Sequence, residues 1–403
     1  MIYFDMIQTV AFAVILLFIG MFLCKRISFL NKYNIPAPVV GGLLFAFANW
    51  GLQSLDVGLR FDSTLQSPLM IAFFTTIGLG ASIKMLKEGG LQLITFLIAA
   101  SVLLVLQNLV AWGLSIVTGL NPLLGLLAGS ITMSGGHGTG ATFAKYFTDQ
   151  FFLAGAMELA MAAATFGLVA GSLIGGPVAR RLIIGKNLSA AAEKAEEEAV
   201  FVALDDKLEE VGHEPVGEGD VLRTIFQITL AMSIGAVFYA ELGRRGIMVP
   251  TYLFALFVGI VIRNIGEFTG WYRVNVRLIE NMGAVSLSIF LSMALMSLKL
   301  WQLVDLAVPM FAILAGEVTL MILFAYFITF NFNGRDYEAA VLAGGHCGFG
   351  LGATPNAIAN MQAISGKHGP APRAFFLVSI VGAFFIDVVN AFIIQAFVTI
   401  IPH

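Results

Sequence analysis

Two short motifs carry most of this chain's capacity for chemistry. Gly135-Gly136-His137 recurs as Gly344-Gly345-His346, and each copy is followed by a Gly-Ala-Thr, at Gly140-Ala141-Thr142 and Gly352-Ala353-Thr354. Glycines at the tip of a turn permit positive φ and close backbone approach. Short helices flanking such a tip present unpaired N–H groups and a positive dipole end. Two tips facing one another would therefore bind an anion without a buried arginine. The candidate residues are Ser134, Gly135, Gly136, His137, Gly138, Thr139, Gly140 and Thr142 in the first copy. In the second they are Gly344, Gly345, His346, Gly348, Gly350, Thr354 and Asn356. The hydroxyls of Ser134, Thr139, Thr142 and Thr354, and the amide of Asn356, would add donors or ion ligands. For each hydroxyl, a bond to its own helix backbone is an equally good use. His137 and His346 occupy matching places, but two histidines without carboxylate or thiolate partners make a thin metal site. Hydrogen bonding at the tip is the expected role.

Asp387 is the most informative charge. It lies in Phe384-Phe385-Ile386-Asp387-Val388-Val389-Asn390, inside the last apolar run. A carboxylate there needs a partner or a cavity. Asp387 and Asn390 are three apart and share a helix face. A substrate ammonium group or a sodium ion would satisfy both, and a structural bond to a broken helix is the other reading. Glu158, near a helix start, is expected to be exposed. Glu317 falls mid-span, as a structural or a coupling carboxylate; the sequence leaves that open.

These residues need elements to hold them, and composition says which kind. Of 403 residues, 58% are hydrophobic and 12% charged, with mean hydropathy +0.90. Soluble chains are nearer a quarter charged. A nucleic-acid binder would need a basic face, which 22 Lys+Arg against 25 Asp+Glu do not supply. The length has room for about ten membrane helices. Cys24 and Cys347 are too few for a disulfide framework. The first six residues carry Asp5 and no Lys or Arg, and the apolar run 7–23 is followed by Lys25-Arg26. That order is the reverse of a cleaved signal, so a retained first helix that starts outside is expected.

Eleven acids crowd into 193–223: Glu193, Glu196, Glu197, Glu198, Asp205, Asp206, Glu209, Glu210, Glu214, Glu218 and Asp220. Burying them in hydrocarbon is excluded by their cost, so this is a solvated linker, helical in part near 190–203. It divides the chain into two related halves. The Gly-Gly-His copies lie 209 positions apart and the Gly-Ala-Thr copies 212. Pro36 with Pro250, Lys84 with Lys299 and Gly171 with Gly382 recur at similar offsets, which indicates a duplicated unit. Apolar runs give five spans in the first half, 7–23, 39–52, 69–84, 91–117 and 152–179. The second half gives 222–242, 250–262, 279–298, 304–330 and 374–401. The two Gly-Gly-His runs are too glycine-rich for a comfortable spanning helix and each is broken in the middle, an ordinary helix with a glycine kink being the other reading. They read as re-entrant hairpins near 122–147 and 337–366, tolerated where protein or a water-filled cavity surrounds them. The expected fold is an all-α polytopic membrane protein. Residues 1–182 and 223–403 form two repeats of five spans, joined by a cytoplasmic linker at 183–222.

Charge orients this scheme. With the N-terminus outside, Lys25, Arg26, Lys32, Lys84, Lys87, Arg180, Arg181, Lys186, Arg263, Arg273, Arg277, Arg335, Lys367 and Arg373 fall inside. Arg60, Lys145, Arg244, Arg245 and Lys299 fall outside. The bias obeys the positive-inside rule. Five spans is an odd number, so the second repeat is inverted and the two hairpins point at each other from opposite faces.

Five segments resemble a known family: IPAPVVGGLL (35–44), GSITMSGGHGTGATFAK (129–145), ATFGLVAGSLIGGPVARRL (164–182), LAGGHCGFGLGATPNAIANMQAI (342–364) and VGAFFIDVVNAF (381–392). Together they are similar to the bacterial sodium/glutamate symporters, through both halves outside the linker. The resemblance implies an inner-membrane homodimer that imports L-glutamate with sodium as coupling ion, through an elevator-like movement. It implies no cofactor and no catalytic residues. The residues alone reach inverted repeats and opposed hairpins. They leave open a proton-coupled carrier of another amino acid or dicarboxylate, and a channel with re-entrant filter loops. An intramembrane enzyme would need a nucleophile–base pair or a metal set, which neither motif copy supplies.

Overall fold

The computed structural model describes residues 2–53, 59–88, 90–190, 217–244, 251–296, 298 and 306–401. The acidic linker, with the helical stretch expected near 190–203, lies for the most part outside the described residues.

Strand β1 (Ile2–Phe4) leads into α1 (Met6–Arg26), and a short α2 (Ser28–Lys32) precedes α3 (Ala37–Gln53). Strand β2 (Leu59–Phe61) is followed by α4 (Gln66–Gly80), α5 (Ile83–Glu88) and the long α6 (Gly90–Thr118). Three pieces come next, α7 (Pro122–Leu127), α8 (Ser130–Met133) and α9 (Gly136–Phe151), and then α10 (Ala156–Gly185). The second half begins with α11 (Glu218–Arg244), α12 (Thr251–Thr269) and α13 (Val276–Leu295). Helix α14 (Ala307–Phe324) runs through a π-helical turn (Ala325–Thr329) into α15 (Phe330–Phe332). After α16 (Tyr337–Gly350) and α17 (Thr354–His368), α18 (Pro372–Ile380) is joined by a second π-helical turn (Val381–Phe385) to α19 (Ile386–Ile400).

Seven described helices are long and apolar enough to cross a membrane: α1, α6, α10, α11, α12, α13 and the run from α14 to α15. The other three expected spans fall on α3 (17 residues), α4 (15 residues) and the segment from α18 to α19, which the π-turn interrupts. The fold is nearly all helical. Among the described residues the exception is the parallel pair β1–β2, in register Ile2↔Leu59, Tyr3↔Arg60 and Phe4↔Phe61. It was not apparent from the sequence, because it rests on tertiary contacts. The rings of Phe4 and Phe61 stack 4.9 Å apart, and those of Phe12 and Phe45 close around them.

Local chemistry explains where helices start and stop. Asp5 accepts from the Gln8 N–H while Gln8 Oε1 accepts from the Asp5 N–H, a reciprocal cap on α1. Lys25 and Arg26 close the same helix at its negative dipole end. Asn121 caps α7, Asn275 caps α13 and Asp336 caps α16, each through its side-chain oxygen.

The helices pack in two groups. In the first, α1, α3, α4, α11, α12 and α13 contact one another; in the second, α6 to α10 pack with α14 to α19. Small residues set the spacing. A Cβ on Gly41 would lie 2.0 Å from the carbonyl oxygen of Leu16, so α3 crosses α1 backbone to backbone. The second group is equally tight, since a Cβ on Gly175 of α10 would lie 2.5 Å from the carbonyl oxygen of Gly344 in α16.

Candidate functional site

The breaks in the two glycine-rich segments meet. Between α8 and α9 the chain turns at Gly136, whose φ of +64° favours glycine. Between α16 and α17 it turns at 351–353. A Cβ on Gly136 would stand 3.4 Å from the carbonyl oxygen of Gly352, so the two turns touch. Helix α6 ties them together. Gln107 Nε2 donates to the Gly350 carbonyl at 2.8 Å, and Ser134 Oγ donates to Gln107 Oε1, also at 2.8 Å.

A cavity of about 870 Å³ opens on these turns, between the two helix groups. The second group contributes Ser134, Gly135, Gly136, His137 and Gly138 from the first break, and Gly352, Ala353, Thr354 and Pro355 from the second. It also contributes Leu168, Phe349, Gly382, Ile386 and Asp387. The first group supplies one wall, from α1 (Val14, Leu17, Phe18, Met21), the turn before α3 (Asn34, Pro36), Phe73 of α4 and Ser288 of α13. That wall is mostly apolar. Among the lining side chains named here, Asp387 is the charged one.

Asp387 is half-buried, and no hydrogen bond to it is found among the described residues. It sits in the first turn of α19, directly after the π-turn Val381–Phe385. A π-turn displaces the helix register and recurs at functional sites. Here Thr354 Oγ1 donates to the Gly382 carbonyl inside that turn at 2.9 Å, which fastens the second break to the segment carrying Asp387. Asn390, one turn further on, does not line the cavity. It is buried and holds Ser130 of the other broken segment, donating from Nδ2 to the Ser130 carbonyl at 2.9 Å and accepting from Ser130 Oγ at 2.7 Å.

The two histidines part company. His137 lines the cavity, with Nε2 3.1 Å from Thr165 Oγ1. The Thr165 hydroxyl already donates to the Met161 carbonyl, so its lone pair accepts and His137 carries its proton on Nε2. His346 lies away from the cavity. Its Nδ1 is 2.8 Å from Thr329 Oγ1 in the other π-turn, and its ring stacks on Phe349 at 4.8 Å.

The remaining candidates divide between packing and the tips. Thr139, Gly140 and Thr142 are buried in α9. A Cβ on Gly140 would meet Thr132, and Thr142 Oγ1 has no hydrogen-bond partner among the described residues. Gly344, Gly345 and Gly348 pack α16 against α10 and α17, while Gly350 packs against Met321 and Leu103. Asn356 is fully buried at the start of α17 and donates to the Leu168 carbonyl at 2.9 Å. Glu158 is buried rather than exposed, and its place in the first turn of α10, at the positive dipole end, offsets part of the cost of burying a carboxylate. Glu317 is fully buried, and both its carboxylate oxygens lack hydrogen-bond partners among the described residues.

Sequence reasoning missed the wall from the first group, above all Asn34, and the amides of Gln107 and Asn108. The latter pair had a signal, two adjacent amides in the middle of an apolar run. Asn34 had little, because nothing local shows that it faces the second break.

A family model for the sodium/glutamate symporter matches residues 2–370. The chain belongs to the sodium/glutamate symporter family. Its relatives include the sodium/glutamate symporters of Escherichia coli (strain K12) and Shigella flexneri, each 47% identical over 398 residues, 98% of this chain and 98% of theirs. The sodium/glutamate symporter of Haemophilus influenzae is 43% identical, over 97% of this chain and 96% of its own. Among solved structures, the sodium proton antiporter MjNhaP1 of Methanocaldococcus jannaschii superposes with a TM-score of 0.45 at 15% identity, over 98% of this chain and 97% of that one. The matched residues include both glycine-rich segments whose breaks touch.

Proposed function

We propose that this chain imports L-glutamate together with sodium ions, as a secondary active transporter of the bacterial inner membrane. The observation that carries the reading is the family match along residues 2–370, and the cavity offers chemistry suited to that cargo. Glutamate has two carboxylates and one ammonium group. The first turns of α9 and α17 reach the cavity at Gly136 and Thr354. Their N–H groups and positive dipole ends favour carboxylates. Asp387 supplies the negative charge that an ammonium group or a sodium ion needs. Further oxygen ligands for sodium would come from Thr354 and from the carbonyls of the two turns, as broken helices provide in other carriers.

In this reading, residues 1–182 and 223–403 are inverted repeats of five spans. The linker at 183–222 is cytoplasmic and both termini are periplasmic. The segments α7–α9 and α16–α17 are re-entrant hairpins from opposite faces. The division of labour between the halves supports the duplication. Each half gives three successive spans to the first helix group (α1, α3, α4 and α11, α12, α13). Each gives two spans flanking one broken segment to the second. The first group acts as scaffold within a homodimer. The second carries the cavity across the membrane, elevator-like, so that the site faces each side in turn.

The test is uptake into proteoliposomes holding the purified protein. Labelled L-glutamate should accumulate under an inward sodium gradient and exchange against unlabelled glutamate. Equal accumulation in potassium buffer driven by a proton gradient alone would overturn the reading.

A further inference from the structure

One side chain crosses between the helix groups inside the cavity. Asn34 lies in the turn between α2 and α3, and α3 packs on α1 and α13 of the first group. Its Nδ2 donates to Asn356 Oδ1 at 2.6 Å. Asn356 belongs to the second group, at the tip of the second broken segment, and its own Nδ2 is engaged by the Leu168 carbonyl. The amide of Asn356 is thus held at both ends, once from within its group and once from across the cavity.

The turn around Asn34 is built to present that amide. Asn34 has a φ of +52°, a left-handed conformation that asparagine tolerates better than most residues. The turn is closed by Asn34 N–H donating to the Asn31 carbonyl and Ile35 N–H donating to the Leu30 carbonyl. Cys24 Sγ donates to the Ile35 carbonyl from α1. Tyr33 and Ile35 are buried on either side. Asn34 itself stays exposed and lines the cavity, facing the fully buried Asn356.

We propose that Asn34 is a positioning residue for transport, a latch that holds the tip of α17 against the first helix group and must let go whenever the second group moves. The inference rests on the alternating-access reading above. The pair needs no third group to satisfy it, so a carrier without cargo can form it. Cargo seated in the cavity displaces the Asn34 side chain, which lines it, from the buried Asn356, which does not. The two forms of the carrier then differ in one contact, which is what allows cargo to bias the movement. The latch weighs on the return of the unloaded carrier more than on the crossing of the loaded one.

Net uptake requires the unloaded return, whereas exchange of internal against external glutamate at saturating sodium does not. The variants are Asn34→Gly, which keeps the positive φ without a side chain, and Asn34→Asp, which keeps the shape without the donor. Both rates are measured in proteoliposomes, with insertion checked by quantitative labelling. One lost hydrogen bond should raise the ratio of net uptake to exchange by about five-fold in both variants. A ratio within two-fold of the parent, whether both rates hold or fall together, overturns the latch. So does loss of exchange itself, which would make Asn34 a ligand of the cargo. Absence of sodium-dependent exchange in the parent protein would instead sink the functional reading, and is seen before any variant is made.

Discussion

At Asp387 the electrostatics are simple. A carboxylate on a cavity wall, without a hydrogen-bond partner among the described residues, favours a cation beside it. Asp387→Asn keeps the shape and removes the charge. We expect sodium-coupled glutamate uptake to fall by more than tenfold while the protein inserts and melts normally. A selective rise in apparent KM for glutamate would assign Asp387 to the ammonium group, and a shifted sodium curve would assign it to the ion. Near-normal kinetics for both would remove it from the site. Asn390 should behave differently although it is one turn away. It lies off the cavity and holds Ser130 through two hydrogen bonds. Asn390→Ala should cost about 1–3 kcal/mol in stability, read as a lower melting temperature in detergent, with apparent affinity for glutamate altered less than two-fold. The shared helix face of the two residues was legible in their spacing. Which neighbour each one meets was not, because that depends on where α8 and α17 come to rest.

At the scale of elements, the broken segments are held by backbone contact through glycine. Two adjacent glycines of α10 test this. A Cβ on Gly175 would stand 2.2 Å from Asn360 Nδ2 and 2.5 Å from the Gly344 carbonyl, whereas a Cβ on Gly176 meets nothing within 4 Å. Gly175→Ala must push α16 and α17 away and should destabilise by about 1–3 kcal/mol. Gly176→Ala should be neutral or slightly stabilising, since alanine is the better helix former. Equal melting temperatures for the two variants would show that the close approach of α10 and α16 does not matter. The glycine-rich motifs were visible in the sequence, and so was the need for close packing. Which glycines face a turn and which face a helix was not. Gly136 and Gly352 touch across the site, while Gly140 and Gly344 only pack.

Across the whole molecule, coupling is the property to measure. Glutamate is a net anion, so its import against an inside-negative potential costs about 2.3 kcal/mol per 100 mV. One sodium ion cancels that charge, and each further ion adds the same amount as driving force. We expect removal of sodium to abolish accumulation. An imposed inside-negative potential of about 100 mV should raise the equilibrium accumulation ratio roughly fifty-fold for each net positive charge moved. An accumulation ratio indifferent to the potential would fix one sodium ion moving in with each glutamate anion and exclude any second one.

Composition and pattern by themselves determined that the chain is apolar enough to cross a membrane, that an acidic stretch parts two apolar halves, and that each half holds one glycine-rich Gly-Gly-His run. Those properties are local or additive: hydropathy sums along a window, charge is counted, and each glycine lowers helix propensity by a similar amount. The tertiary structure alone decided that the two breaks touch and that Asp387 opens on a cavity while Asn390 does not. It likewise separated His346 from His137 despite their matching motifs. It also brought Asn34 from one helix group to Asn356 of the other, 322 positions away in sequence. Such contacts arise between elements whose own patterns are already satisfied. No local preference encodes them, and they exist only once the two groups of helices have packed.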